Sequence, residues 1–431
     1  MKLPGHAESY NPPPEYIPTD QEKDRWEKQA DEPYKRKMNF LPKKFDSLRK
    51  VPAYEKFIHE RFERCLDLYL APRARKMRLT IQPEDLVPQL PKPQDLQPFP
   101  QVCSVTYKGH KNMVRTISIE PKGQFLASGS DDGTVKLWEV QTGYCFKTFI
   151  FGKTIITSVA WCPNTSLSVL AVAFENKVVL LNTGLGDKLI VEQTDELLSE
   201  APDESNYVPP ERVKAAVKWE SAKANPISGL PKEALICLTF FKNVQQVTWH
   251  GKGDYFATVI PEGLNRSVLI HQLSKWRSQV PFGKAKGRIQ CVLFHPVRPY
   301  LLVATQRHVR IYNLSKLEMT KKLQTGAKWI SSMAIHPHGD NVLLGTYDKK
   351  VQWFDLDLST QPYQVLRYHV NAVRMVAYHL RYPLFASCSD DTNIVVSHGM
   401  VYNDLMQNPL IVPVKQLRGH TQYNGKILQM D

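Results

Sequence analysis

Histidine, serine and aspartate recur in this chain at a fixed spacing. His110 precedes Asp132 by 22 residues and Asp132 precedes Trp138 by six, with Ser128 and Ser130 just ahead of the aspartate. The same intervals separate His369, Asp391 and Ser397. Serine, histidine and aspartate are the parts of a nucleophilic hydrolase site. A reaction centre needs one such set, whereas a hydrogen-bonded bridge inside a repeated unit needs one per unit. The recurrence therefore predicts structural bridges, and no catalytic residue is assigned. Metal chemistry finds no better footing. His295, His336 and His379 each end a predicted strand, and His336 and His338 stand close in IHPHGD without a third predictable ligand. The seven cysteines are odd in number, widely spaced and contain no CxxC, which argues against a zinc site and a disulfide framework and suggests a reducing compartment. No P-loop, dinucleotide fingerprint, HExxH or GxSxG occurs. No metal and no cofactor is expected, and the sequence offers no case for an enzyme.

The other chemistry is electrostatic. The formal net charge is +14, and between Tyr34 and Arg78 fourteen Lys or Arg face five Asp or Glu. The clusters are Lys35, Arg36 and Lys37; Lys43 and Lys44; Arg49 and Lys50; and Arg73, Arg75, Lys76 and Arg78. Cations interleaved with aromatics suit phosphate contact plus base stacking. The same clusters also fit a nuclear import signal or a solvated surface, and these readings stay open. A chain 42% hydrophobic and 23% charged is globular in composition. No apolar run reaches a membrane span, and the start MKLPGHAESYNPPPEY has no signal-peptide core. A secreted or membrane-spanning protein is not expected.

The elements that must carry these groups differ along the chain. Residues 1–100 read as one extended, basic N-terminal region. Prolines punctuate residues 1–53, so this part is predicted to be an extended strap. Tyr10, Tyr16, Trp26, Tyr34, Phe40 and Phe45 along it need a surface to bury against. One helix, about 53–71, interrupts it. Tyr54, Ile58, Phe62, Cys65 and Tyr69 recur on one helical face, widened by Phe57, Leu66 and Leu70. That face docks either on its own domain or on another protein or RNA. Residues 79–101 read as a Pro-rich linker.

From residue 101 to 431 the chain repeats. Trp138, Leu181, His271, Tyr312, Phe354 and Ser397 hold one repeat position, at steps of 43, 90, 41, 42 and 43. A period of 40 to 45 residues with alternating apolar strands and turns such as DDG resembles the WD repeat, and predicts an all-β propeller of four-stranded blades. In WD-repeat proteins a His, a Ser or Thr, an Asp and a Trp form a buried hydrogen-bond chain within a blade. His110, Ser128 or Ser130, Asp132 and Trp138 match it, and His369 and Asp391 match it in the sixth repeat. The step of 90 marks an acidic insertion at about 186–234, with ten Asp or Glu against six Lys or Arg, predicted to be a disordered or partly helical loop. It reads as a tolerated surface insertion or as a binding segment for a basic protein.

The stretches KLPGHAESYNPPPEYIPT, FLPKKFDSLRKVPAYEKFIHERFERCLDLYLAPR and CSVTYKGHKNMVRTISIEPKGQFLASGSDDGTVKLWEVQTG resemble the eukaryotic block-of-proliferation family of ribosome biogenesis proteins. The resemblance runs from residue 1 to about residue 420. It implies a non-catalytic nucleolar and nucleoplasmic scaffold, the WD-repeat subunit of the PeBoW complex with pescadillo and a second WD-repeat protein. That complex serves maturation of large-subunit rRNA and of the pre-60S particle. The resemblance implies a pescadillo or RNA role for Lys43, Lys44, Arg49, Lys50 and helix 54–70.

Two departures accompany it. Family members extend upstream of Met1 with an acidic part, so the +14 is not the charge of a full-length member. Gly419 and His420 open a seventh repeat whose Asp is expected near 442, yet the chain stops at Asp431. The expectation is a shortened chain with six complete blades, an incomplete last blade, and the strand around Cys103–Tyr107 left without the sheet whose outer edge it would form. The competing class is a substrate adaptor of a ubiquitin ligase or chromatin complex, which shares the propeller but has no use for a basic aromatic strap.

Overall fold

A computed structural model describes residues 10–30, 34, 36, 40–47, 50–51, 57–71, 91–199, 210–221, 230–282, 287–402 and 409–420, with backbone alone for 57–61. Contacts divide the chain into two compact units, Met1–Leu90 and Pro91–Asp431.

The second unit is six antiparallel sheets in chain order. Sheet 1 comprises Val114–Ile119, Phe125–Ser130, Thr134–Glu139 and Cys145–Ile150. Sheet 2 runs Ile156–Trp161, Val169–Phe174, Lys177–Asn182, Ala234–Phe240 and, outermost, Val217–Ser221. Sheet 3 begins at Gln246–Trp249, sheet 4 at Ile289–Phe294, sheet 5 at Ile330–Ile335 and sheet 6 at Val373–Tyr378. Each sheet is a meander of hairpins, so neighbours in sequence are neighbours in space. The first strands pack on one another in sequence order, and apolar faces meet between successive sheets. Ala127, Val135, Leu137 and Phe149 of sheet 1, for example, close on Ile156, Val159 and Val172 of sheet 2. These are the six complete WD-type propeller blades predicted from the period. No comparable contact returns from the first strand of sheet 6 to that of sheet 1 among the described residues. The far face of sheet 6 accordingly has Met375, Ala386 and Ile394 only half-buried around Cys388.

Polar residues on these apolar strands have a definite use. The amide of Val159 donates to Thr116 Oγ1, that of Trp161 to Ser118 Oγ, and that of Val247 to Ser158 Oγ. The inner strands of sheets 1 and 2 thus satisfy backbone donors of the sheet that follows, which would otherwise be buried unpaired.

The structure refines one sequence expectation in this unit and changes another. The insertion between the third and fourth strands of sheet 2 is not simply a loop. It holds helices α3 (Lys188–Ser199) and α4 (Glu211–Lys214) and then the strand Val217–Ser221. Leu198, Val213, Ala216 and Val217 enter the core between sheets 2 and 3, and that apolar anchorage outweighs the acidic composition. Residues 103–107 form no strand. Tyr107 instead donates to the Val140 carbonyl (2.8 Å), stands edge-on to Trp138, and Val105 lies over the turn at Gly143. The expected seventh-blade residues 421–431 lie outside the described residues.

In the first unit, the strap is not uniformly extended. It contains a nine-residue helix, α1 (Asp20–Lys28), whose start is fixed because the Glu22 carboxylate accepts from both the amide and the hydroxyl of Thr19. The helix has no apolar stripe, so hydrophobic periodicity missed it. The Phe45 amide donates to the Tyr10 carbonyl (2.8 Å) and folds the strap back on itself. The expected 53–71 helix spans Phe57–Leu70, with residues 52–56 outside the described set.

Candidate nucleic-acid and partner interface

The histidine sets assemble as bridges. His110 Nε2 lies 2.7 Å from Ser128 Oγ and its Nδ1 3.0 Å from Asp132 Oδ2, while Trp138 Nε1 donates to Ser128 Oγ at 2.8 Å. Because the serine oxygen accepts from the indole, its own proton goes to Nε2, and His110 is a neutral imidazole donating from Nδ1 to Asp132. Burial lowers the His110 pKa, against the pull of Asp132. Burial alone would raise Asp132, but hydrogen bonds from Thr134, the Lys111 amide and His110 prevail and hold it at about 2. Ser128, not Ser130, is the member. The sixth set repeats the geometry with His369, Ser387 and Asp391 at 2.7 and 3.2 Å, and ends at the serine because Ser397 stands where a Trp would donate. Ser128 is 4% exposed and Ser387 0%. An acyl carbonyl has no path to either oxygen, so the triad-like distances serve packing.

A third bridge was not legible in advance. Trp219, on the insertion strand of sheet 2, donates from Nε1 to Ser278 Oγ (2.8 Å). Ser278 reaches His271 Nδ1 (2.8 Å), and His271 Nε2 reaches Thr258 Oγ1 (2.9 Å). The order is reversed, and the Trp comes from the neighbouring sheet, 59 residues away. The alternation Val217-Lys218-Trp219-Glu220-Ser221 was the available signal. Burial drives the His271 pKa down to about 3.

The basic residues divide. Lys43 and Lys44 are exposed. Lys50 is exposed and paired with Asp46 at 2.6 Å, a contact worth at most about 1 kcal/mol and easily exchanged for a phosphate. Arg36 is half-buried, its guanidinium 3.9 Å from the Trp26 ring centroid, and so holds an aromatic in place. Arg64 lies over Phe45 and reaches the Lys43 carbonyl, which joins α2 (Phe57–Leu70) to the Lys43–Lys44 segment. Lys35, Lys37, Arg49, Arg73, Arg75, Lys76, Arg78 and Tyr54 lie outside the described residues, as does the side chain of Ile58.

The apolar face of α2 is split. Leu68 is 4% exposed, and Cys65 and Tyr69 are half-buried. Phe62, Leu66 and Leu70, at i, i+4 and i+8, are 65%, 40% and 66% exposed. Of the expected partner-docking set Tyr54, Ile58, Phe62 and Tyr69, Tyr69 lies on the half-buried side and Phe62 continues along Leu66 and Leu70. Among the described residues, no group of three His, Cys, Asp or Glu is placed to hold a metal, and no helix is long and apolar enough to cross a membrane.

Six successive antiparallel sheets and sealed His-Ser-Asp bridges define a WD-repeat propeller protein. Residues 1–100 match the BOP1NT (NUC169) domain, and residues 101–139 match the WD domain, G-beta repeat. The chain is 59% identical over 418 residues to the ribosome biogenesis protein BOP1 homolog of Drosophila willistoni, covering 97% of this chain and 53% of the relative. It is 60% identical over 418 residues to the homolog of Drosophila grimshawi, covering 97% and 52%. The chain thus carries the BOP1NT and WD domains, is about 60% identical to BOP1 homologs over 97% of its length, and spans about half the length of the curated relatives it matches.

Proposed function

We propose that this protein is a non-catalytic scaffold of ribosome biogenesis, acting in maturation of large-subunit rRNA and assembly of the 60S subunit within the PeBoW complex. The observation that carries the reading is identity of about 60% to ribosome biogenesis proteins across 97% of the chain, N-terminal unit and propeller alike. In this reading residues 1–100 contact pre-rRNA and pescadillo. Lys43, Lys44 and Lys50 supply phosphate contacts, joined by Lys35, Lys37, Arg49, Arg73, Arg75, Lys76 and Arg78. Phe62, Leu66 and Leu70 supply an apolar partner face. The propeller, residues 101–431, docks the second WD-repeat protein, and the protein works in the nucleolus and nucleoplasm. The sealed serines support a platform role over hydrolysis. Affinity purification of the tagged chain from nuclear extract tests this. Recovery of pescadillo with large-subunit precursor rRNA is the expected result. Recovery of cullin-type ligase subunits without rRNA would replace the proposal with the adaptor reading.

A further inference from the structure

A groove of about 1030 Å³ opens between sheets 3 and 4, with the short helix α4 as one wall. Its floor is apolar: Val213, Val280, Phe282, Phe294 and Leu314, with Leu317 65% exposed at the lip. Its rim is cationic. Arg212 and Lys252 are exposed and make no ion pair among the described residues, and Arg266 joins them, its guanidinium donating to the Ala215 carbonyl. The single carboxylate in the lining, Asp254, is already engaged by the Gln272 amide and the Ser274 backbone N–H.

We propose that this groove is a docking site for an extended acidic peptide of another protein, with an aliphatic or aromatic side chain seated in the floor and flanking carboxylates meeting Arg212, Lys252 and Arg266. The volume lies at the upper end for a ligand pocket and leaves room for more than one side chain. A rim of three cations against one satisfied carboxylate selects negative charge. A nucleic acid fits less well. The Phe282 ring is stacked on Tyr312 (4.4 Å between centroids), and the Phe294 ring already meets the His250 edge (5.3 Å), so these rings are engaged rather than free to stack a base. The α4 wall comes from the insertion, which gives that segment a use beyond tolerated length.

The test selects phage-displayed random twelve-residue peptides on the intact chain, then titrates the best one. The expected consensus is Asp or Glu flanking Leu, Phe or Trp. Binding should weaken with salt, fall about tenfold or more in the Arg212→Glu, Lys252→Glu double variant, and fall again in Leu317→Asp. All three positions are exposed, and unchanged thermal melts would show that the fold is intact. Absence of an acidic–apolar consensus, equal binding to the charge-reversed chain, or displacement of the peptide by a uridine oligonucleotide would each overturn the proposal.

Discussion

Thr392 and Gly133 occupy the same turn in two sheets, SDDT and SDDG, and both are left-handed, at φ +67° and +74°. Glycine takes that conformation freely and a β-branched residue does not. Thr392→Gly should therefore relieve strain and raise stability by about 1 kcal/mol, read as an upward shift in melting temperature. The reverse exchange at Gly133 should be far more costly, since a Cβ there would lie 2.0 Å from the Gly152 carbonyl oxygen. His271 makes a different prediction. Its folded pKa is about 3, below the ordinary value of 6.5, so below pH 6.5 the unfolded chain binds a proton that the folded chain refuses. Stability from this site is intact at neutral pH and falls on acidification by about 1.4 kcal/mol per pH unit between roughly 6.5 and 3. Melting temperature measured from pH 7.5 to 5 should decline, and His271→Gln should flatten the decline. An unchanged slope would show that His271 does not titrate the fold. At this scale the sequence exposed the His-Asp intervals because they repeat. It hid the Trp219 bridge because its members come from two sheets, and Trp219 lies in the insertion, off the period that carries His271.

Among the elements, the blades were the most legible, since a meander of short strands leaves its period and turn residues in the chain. The partly helical character of the insertion was legible, but its strand Val217–Ser221 and its anchorage were not, because net acidity says little about a segment whose Leu198, Val213 and Val217 are buried. The helix Asp20–Lys28 was hidden for the opposite reason: its signal is the Thr19–Glu22 capping box and good helix formers, with no apolar stripe. For α2 the periodicity identified the helix but not which side it exposes, because all around it apolar residues crowd within one turn. The exposed line of Phe62, Leu66 and Leu70 gives a sharp expectation. Phe62→Asp with Leu66→Asp should leave the melting temperature within about 1 °C, because exposed positions rarely affect stability. If the proposed function holds, the same variant should lose pescadillo in affinity purification while keeping the WD-repeat partner proposed for the propeller. Retention of pescadillo at wild-type levels would remove α2 from the interface.

Taken whole, the molecule separates its tasks. The propeller unit is a series of apolar inter-sheet cores, stitched across its first three sheets by Thr116, Ser118 and Ser158, with the bridge serines buried. The N-terminal unit carries the exposed Lys43, Lys44 and Lys50 and the cation–aromatic pairs Arg36–Trp26 and Arg64–Phe45. The central claim is that this cationic unit ties a passive platform to precursor rRNA. Its most direct test is the salt dependence of binding to a large-subunit precursor rRNA fragment, for the wild-type chain and for Lys43→Glu with Lys44→Glu. If the two lysines neutralise phosphates, the slope of log K against log salt should become shallower by about 1.4–1.8 in the variant, at any RNA sequence. Equal slopes for the two chains would contradict the account.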